Sequence, residues 1–144
     1  MTGKPIAIAS DHAGFELKQK LVAELEAMNY EVLDLGTNGS ASVDYPDFAE
    51  ALVGAIKAGD ADRGVLCCGT GIGIAMAANR HPGIRAAPCR DETSARLTRA
   101  HNDANVLALG ARLTGIEVAK DCLRAFLETK FDGGRHQPRV AKLG

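Results

Sequence analysis

What most constrains this chain is an alternation of two hydrophobic periods, repeated five times within 144 residues. Short apolar runs at 5–10, 30–35, 64–68, 84–89 and 106–109 have the length of buried strands. Between them, Phe15, Leu17, Leu21, Val22, Leu25 and Met28 recur at helical spacing, and Phe48, Ala49, Leu52, Val53 and Ile56 repeat the pattern. Further helices are predicted over 72–79, 92–99 and about 116–129. The strands are apolar almost throughout rather than on alternate residues, so they belong to a sheet covered on both faces. This strict alternation predicts an α/β protein: a doubly wound, five-stranded parallel sheet of order 2-1-3-4-5 between two helix layers.

Length and composition hold this to one domain, residues 1–144, without internal linker, repeat or low-complexity segment. Only the tail over 131–144, broken early by Gly133-Gly134, reads as an appendage. Seventeen basic against eighteen acidic residues leave a net charge of −1. No overall field therefore draws the chain to nucleic acid or to an anionic membrane. The longest uncharged stretch, 64–79, contains four glycines and falls short of the ~20 apolar residues that a membrane span needs. Asp11 and His12 interrupt the first apolar run, which leaves no readable signal peptide. The cysteines, Cys67, Cys68, Cys89 and Cys122, have neither C-x-x-C spacing nor a zinc-like pattern. The expectation is a cytoplasmic protein with reduced thiols, no metal and no cofactor.

In an open parallel sheet, ligands bind beyond the carboxyl ends of the strands where strand order reverses, here between strands one and three. The segments leaving those strands are Ser10-Asp11-His12-Ala13-Gly14 and Cys68-Gly69-Thr70-Gly71-Ile72-Gly73. Glycines 69, 71 and 73 ahead of a helix let backbone N–H groups converge on an anion, although they equally suit close helix–strand packing. No Gly-Lys-Ser/Thr follows, and the first turn carries Asp-His instead of glycines, so neither the phosphate-loop nor the dinucleotide pattern fits. Cys68 precedes a helix N-terminus, where a thiol can ionise near neutrality and act as base or nucleophile. The bland alternative is a core cysteine ending a strand, which is the reading for Cys67, Cys89 and Cys122. By themselves, Asp11-His12 also reads as a capping acid and a surface histidine, and His101-Asn102-Asp103 as a polar turn. Arg135 and Arg139 share a face if helical and could grip a phosphate, or simply be solvated.

Taken together these pieces resemble the ribose-5-phosphate isomerase B type, a family that includes the galactose-6-phosphate isomerase subunits. The matching segments are Ser-Asp-His-Ala-Gly at 10–14, Asp44-Tyr45-Pro46, Cys-Gly-Thr-Gly-Ile-Gly at 68–73, Ala77-Ala78-Asn79, His-Asn-Asp-Ala-Asn at 101–105, Gly110-Ala111-Arg112 and Gly-Gly-Arg-His-Gln-Pro-Arg at 133–139. They span essentially the whole chain. The resemblance implies the same doubly wound fold, assembled as homodimers or homotetramers, and a metal-independent aldose–ketose isomerisation of a sugar phosphate through a cis-enediolate. Ribose 5-phosphate and ribulose 5-phosphate are the leading pair; allose 6-phosphate, galactose 6-phosphate and tetrulose phosphates are the family's other substrates.

Carried over, Cys68 is the base that moves a proton between C2 and C1. Part of the family uses a glutamate at the place of Ile74, which cannot serve here. The amides of Gly69, Gly71 and Gly73 would hold the enediolate oxygen. His101, helped by Thr70, would open the sugar ring. Asp11 would hold a hydroxyl, Tyr45 and Asn102 would line the pocket, and His12, Arg112, Arg135 and Arg139 would bind the phosphate. His101 precedes strand five, on the opposite edge of the sheet from Cys68, so His101 and Asn102 are expected to complete the site of a neighbouring subunit. Two rival readings are a flavodoxin-like binding module that senses sugar phosphates, which has no use for the thiol, and a Cys67-Cys68 redox pair, which adjacent-cysteine strain disfavours.

Overall fold

In the computed structural model, which describes residues 3–144, the alternation is realised as β1 (Ile6–Ser10), α1 (Phe15–Ala27), β2 (Val32–Asp34), α2 (Tyr45–Lys57), β3 (Arg63–Cys68), α3 (Ile72–Ala78), β4 (Ala86–Pro88), α4 (Glu92–Asn102), β5 (Val106–Gly110) and α5 (Ile116–Glu128). A 3-10 turn (Gly134–His136) and α6 (Gln137–Ala141) follow. The five strands form one wholly parallel sheet. Alternate residues of the central strands feed two cores. Ile6, Ile8, Val65, Cys67, Leu107 and Leu109 meet the leucines of α1 and the apolar stripe of α5. Ala7, Ala9, Leu66, Cys68, Val106 and Ala108 meet Ala49, Leu52 and Val53 of α2 and Ile74, Ala75 and Ala78 of α3. That parity turns Cys67 toward the α1 and α5 side and Cys68 toward the α2 and α3 side.

The strand order is β2-β1-β3-β5-β4, which corrects the expected 2-1-3-4-5 at its last two positions. β5 is buried at every residue and pairs on both sides, whereas β4 has three residues, of which only the first is buried. Pro88, with no N–H to donate, suits a strand with a free edge. The step from β4 back to β5 runs in the same direction across the sheet as that from β1 to β2. Right-handed crossovers therefore place α4 on the face of α1 and α5, and Ala95 of α4 indeed joins that core. The reversal between β1 and β3 is unaffected, so the expected switch point stands.

Boundaries move in physically simple ways. α2 begins at Tyr45, ahead of Phe48, with Pro46 inside its first turn, where a missing N–H costs nothing. α4 continues to Asn102, beyond Arg99, and stops at Asp103, whose φ of 48° is left-handed. His101 is thus a last-turn helical residue instead of a turn residue. The tail is more ordered than an appendage: Asp132 N–H donates to Ala100 O at 3.0 Å, tying it to the end of α4.

Candidate active site

The two segments leaving β1 and β3 touch. Asp11 N–H donates to Cys67 O at 3.2 Å, and a Cβ on Gly14 would fall 2.5 Å from that same carbonyl oxygen. Glycine is required at 14 because the first turn lies directly on the third strand. Buried Asp11 accepts the Gly14 N–H through Oδ1 at 3.0 Å, which fixes the carboxylate at the strand end. Val43 N–H donates to His12 Nδ1 at 3.1 Å. A nitrogen that accepts carries no proton, which leaves Nε2 as the donor side of the His12 ring.

Cys68 ends β3 with its thiol largely buried, and its Sγ accepts the N–H of Gly71 at 3.1 Å. The bond exists because Gly71, at φ 78°, turns the chain back over the strand end. The Gly71 amide is therefore committed to the sulfur, and Ile72 N–H donates to Thr70 Oγ1 at 3.2 Å, leaving the hydroxyl proton of Thr70 to donate outward. Two further expected residues close on this loop. Tyr45, first in α2, lays its ring on Gly73, whose Cβ would stand 2.7 Å from Tyr45 Cζ. Arg112 crosses Gly69, whose Cβ would stand 3.1 Å from Arg112 Nη1, and its own N–H donates to Gly69 O at 2.9 Å. Asp11, His12, Tyr45, Cys68, Thr70, Arg112 and the three glycines thus share the carboxyl edge of the sheet.

His101, Asn102, Arg135 and Arg139 do not join them within this chain. His101 and Asn102 end α4, ahead of the amino end of β5. Cys68 pairs with Gly110, the last residue of that strand, and β5 alone spans about 13 Å at ~3.3 Å per residue. The tail carrying Arg135 and Arg139 stays with α4: the His136 and His101 rings stack at 4.5 Å, inclined by 17°. Burial first, then His101 and Arg135, hold the His136 imidazole below its ordinary range. In the sequence His136 stands out only by its place between Arg135 and Arg139.

A cleft of about 770 Å³ opens beside the first turn between α1 and the start of α5, and includes His12, Lys20, Arg112 and Thr114 but not Cys68. It adjoins the phosphate-binding side of the expected site, not the thiol. Among the described residues, His101, Asp132 and His136 bring one potential metal ligand each within 4.8 Å of the others. Because the two rings are stacked, their lone pairs lie side by side instead of converging on a point. The four cysteines are free thiols. Burial, and secondarily Cys68, push the Cys67 thiol far up, and burial pushes Cys122 up to about 12. Among the described residues no helix is long and apolar enough to cross a membrane.

Fold and site together define a doubly wound α/β protein with a thiol, a glycine loop, a histidine and an arginine at its switch point. The chain belongs to the ribose/galactose isomerase family, whose family model matches residues 6–143. It is 49% identical over 140 residues to ribose-5-phosphate isomerase B of Escherichia coli (strain K12), covering 97% of this chain and 94% of that one. The solved structure of ribose-5-phosphate isomerase B from Clostridium thermocellum superposes with a TM-score of 0.96 at 51% identity, covering 97% of this chain and 95% of its own. That of the Mycoplasma genitalium ribose-5-phosphate isomerase B with bound ribulose 5-phosphate does so with a TM-score of 0.94 at 41% identity, covering 99% and 95%.

Proposed function

We propose that the chain is an aldose–ketose isomerase that interconverts D-ribose 5-phosphate and D-ribulose 5-phosphate through a cis-enediolate, without a metal. The observation that carries the reading is the Cys68 thiol at the end of the central strand, with an N–H aimed at its sulfur, inside the glycine loop that Tyr45 and Arg112 close upon. The full-length likeness to relatives named for this reaction supports the substrate.

The cyclic aldose must open first. The bond between C1 and O4 breaks, one proton reaches O4 and one leaves O1; His101 carries this exchange and the Thr70 hydroxyl assists. Cys68, as thiolate, then takes the proton from C2, and the charge moves onto O1. The amides of Gly69 and Gly73 hold that oxygen, while the Gly71 amide holds the sulfur in place. The O2 proton passes to O1, and Cys68 returns its proton to C1 to give the ketose. Asp11 holds a sugar hydroxyl, and Tyr45 and Asn102 line the pocket. His12, Arg112, Arg135 and Arg139 bind the phosphate, with residues 131–144 acting as a phosphate-binding tail. The dianion, held by several charge-assisted bonds, fixes the reacting carbons beside the sulfur.

His101, Asn102, Arg135 and Arg139 sit a strand's length from Cys68, so the working enzyme is a homodimer or homotetramer, cytoplasmic, in which one subunit's α4 end and tail complete the other's carboxyl-edge site. The test is an isomerase assay with a chelator present, on wild type and Cys68→Ala, with ribose 5-phosphate beside four- and six-carbon aldose phosphates. Turnover of ribose 5-phosphate that falls by roughly 10²-fold or more in Cys68→Ala is expected for loss of a general base. Binding without turnover of any sugar makes the crevice a sensor and overturns the reading.

A further inference from the structure

We infer that His136 is a positioning residue for ring opening: it stacks on the His101 imidazole and holds it in the orientation that exchanges protons with the sugar. The inference rests on the role proposed above for His101.

The backbone is built to deliver this ring. Asp132 N–H donates to Ala100 O at 3.0 Å, which pins the tail one residue before His101. Gly133 and Gly134, at φ 66° and 55°, then turn the chain in a conformation that side-chain-bearing residues rarely adopt. His136 N–H returns to Gly133 O at 3.0 Å, closing the 3-10 turn that lays its ring on His101. The centroids are 4.5 Å apart and the planes differ by 17°, which is stacking distance for aromatic rings. A histidine at a helix end has two free side-chain torsions; a parallel plate half-buried against it leaves the ring rotation few choices.

The neighbours fit stacking better than metal binding. Parallel rings point their lone pairs side by side, and both Arg135 and Arg139 act on His136 as positive charges that oppose a cation. Asp132 is the one nearby acid with a ligand atom in the group. The same five-residue segment that would grip the phosphate through Arg135 and Arg139 therefore also carries the plate that orients the ring-opening histidine.

Two reactions of the same enzyme separate positioning from general damage. Ribose 5-phosphate must open its ring. Ribulose 5-phosphate, whose C5 oxygen carries the phosphate, cannot close a furanose, so exchange of its C1 proton with solvent deuterium needs Cys68 but no ring opening. In His136→Ala, ribose 5-phosphate turnover is expected to fall about tenfold further than the exchange does, the upper range for one stacked aromatic pair. His136→Phe, which keeps the plate but cannot titrate, should recover most of the turnover. His101→Ala and thermal melts are run beside them. A parallel loss of turnover and exchange in His136→Ala, or no loss in either, overturns the positioning role. If His101→Ala splits the two reactions and His136→Ala does not, the positioning role alone falls. If His101→Ala also fails to split them, the ring-opening role of His101 is what fails, and the inference falls with it.

Discussion

One residue of register separates two cysteines with opposite fates. Cys67 faces the α1 and α5 core and is fully buried, and its thiol is pushed far up. Cys68 faces α3, where an amide is aimed at its sulfur. The buried thiols, Cys67, Cys89 and Cys122, are all held protonated to higher pH in the folded chain than when unfolded, chiefly by burial. For Cys122 the window runs from 9.0 to about 12. Above 9.0 the unfolded chain binds fewer protons than the folded one, so stability is fully present below that pH and is lost as pH rises through the window. Each thiol withdraws up to about 1.4 kcal/mol per pH unit. Urea melts of wild type and Cys122→Ala at a series of alkaline pH values should therefore converge as pH rises, and a constant difference would sink the assignment. The same scale holds a residue that the sequence concealed. Lys18 is buried in the first turn of α1 and bonded to Asp34 at 2.6 Å, although lysine is among the residue types least often buried. Asp34→Ala leaves that ammonium unpaired and should cost about 3–5 kcal/mol, whereas Lys18→Met with Asp34→Ala should recover much of it. Comparable losses in single and double variants would show that the pair is not what Lys18 needs.

At the scale of elements, the edge strand explains both what the pattern revealed and what it hid. Asn79, the C-cap of α3, donates through Nδ2 to Ala86 O at 2.8 Å and accepts Ala86 N–H through Oδ1 at 2.7 Å. β5 occupies the other side of β4, so this one side chain acts as a strand partner and closes the free edge. Asn79→Ala removes both bonds. It should cost about 2 kcal/mol at ~1 kcal/mol per hydrogen bond, read as a lower urea midpoint, and an unchanged midpoint would mean that water satisfies Ala86 equally well. Hydrophobic period alone located every strand and every long helix, since a strand covered on both faces must be apolar throughout. Strand order escaped it because the order depends on which of two adjacent strands can tolerate an open edge. The short β4 with its Pro88 and the fully buried β5 carried that information, but only in comparison with each other. The carboxyl-edge half of the site was legible for a related reason: glycines, Asp11, His12 and Cys68 stand at strand ends, where topology alone brings them together. The stack of His136 on His101 was not, because it depends on the path of a tail that has no hydrophobic period.

The whole molecule poses a problem that its single chain does not solve. Chemistry proposed for one substrate is divided between opposite edges of one sheet, with Cys68, Asp11 and Arg112 at one and His101, Arg135 and Arg139 at the other. A rigid parallel sheet cannot fold its edges together. A two-fold partner can, because an isologous interface that brings one subunit's α4 end to the other's switch point does the same in reverse and makes two equal sites. Each site then takes its base from one chain and its ring-opening histidine from the other. Cys68→Ala and His101→Ala chains are each inactive alone under this arrangement. After subunit exchange, half the dimers are mixed, and in each mixed dimer one site inherits both lesions while the other inherits neither. Activity should return to about a quarter of the wild-type value, with the time course of subunit exchange. If base and histidine served within one chain, every site in the mixture would keep one lesion and no activity would return. Cross-linking the dimers before mixing should abolish the recovery, which separates shared sites from slow refolding of either variant.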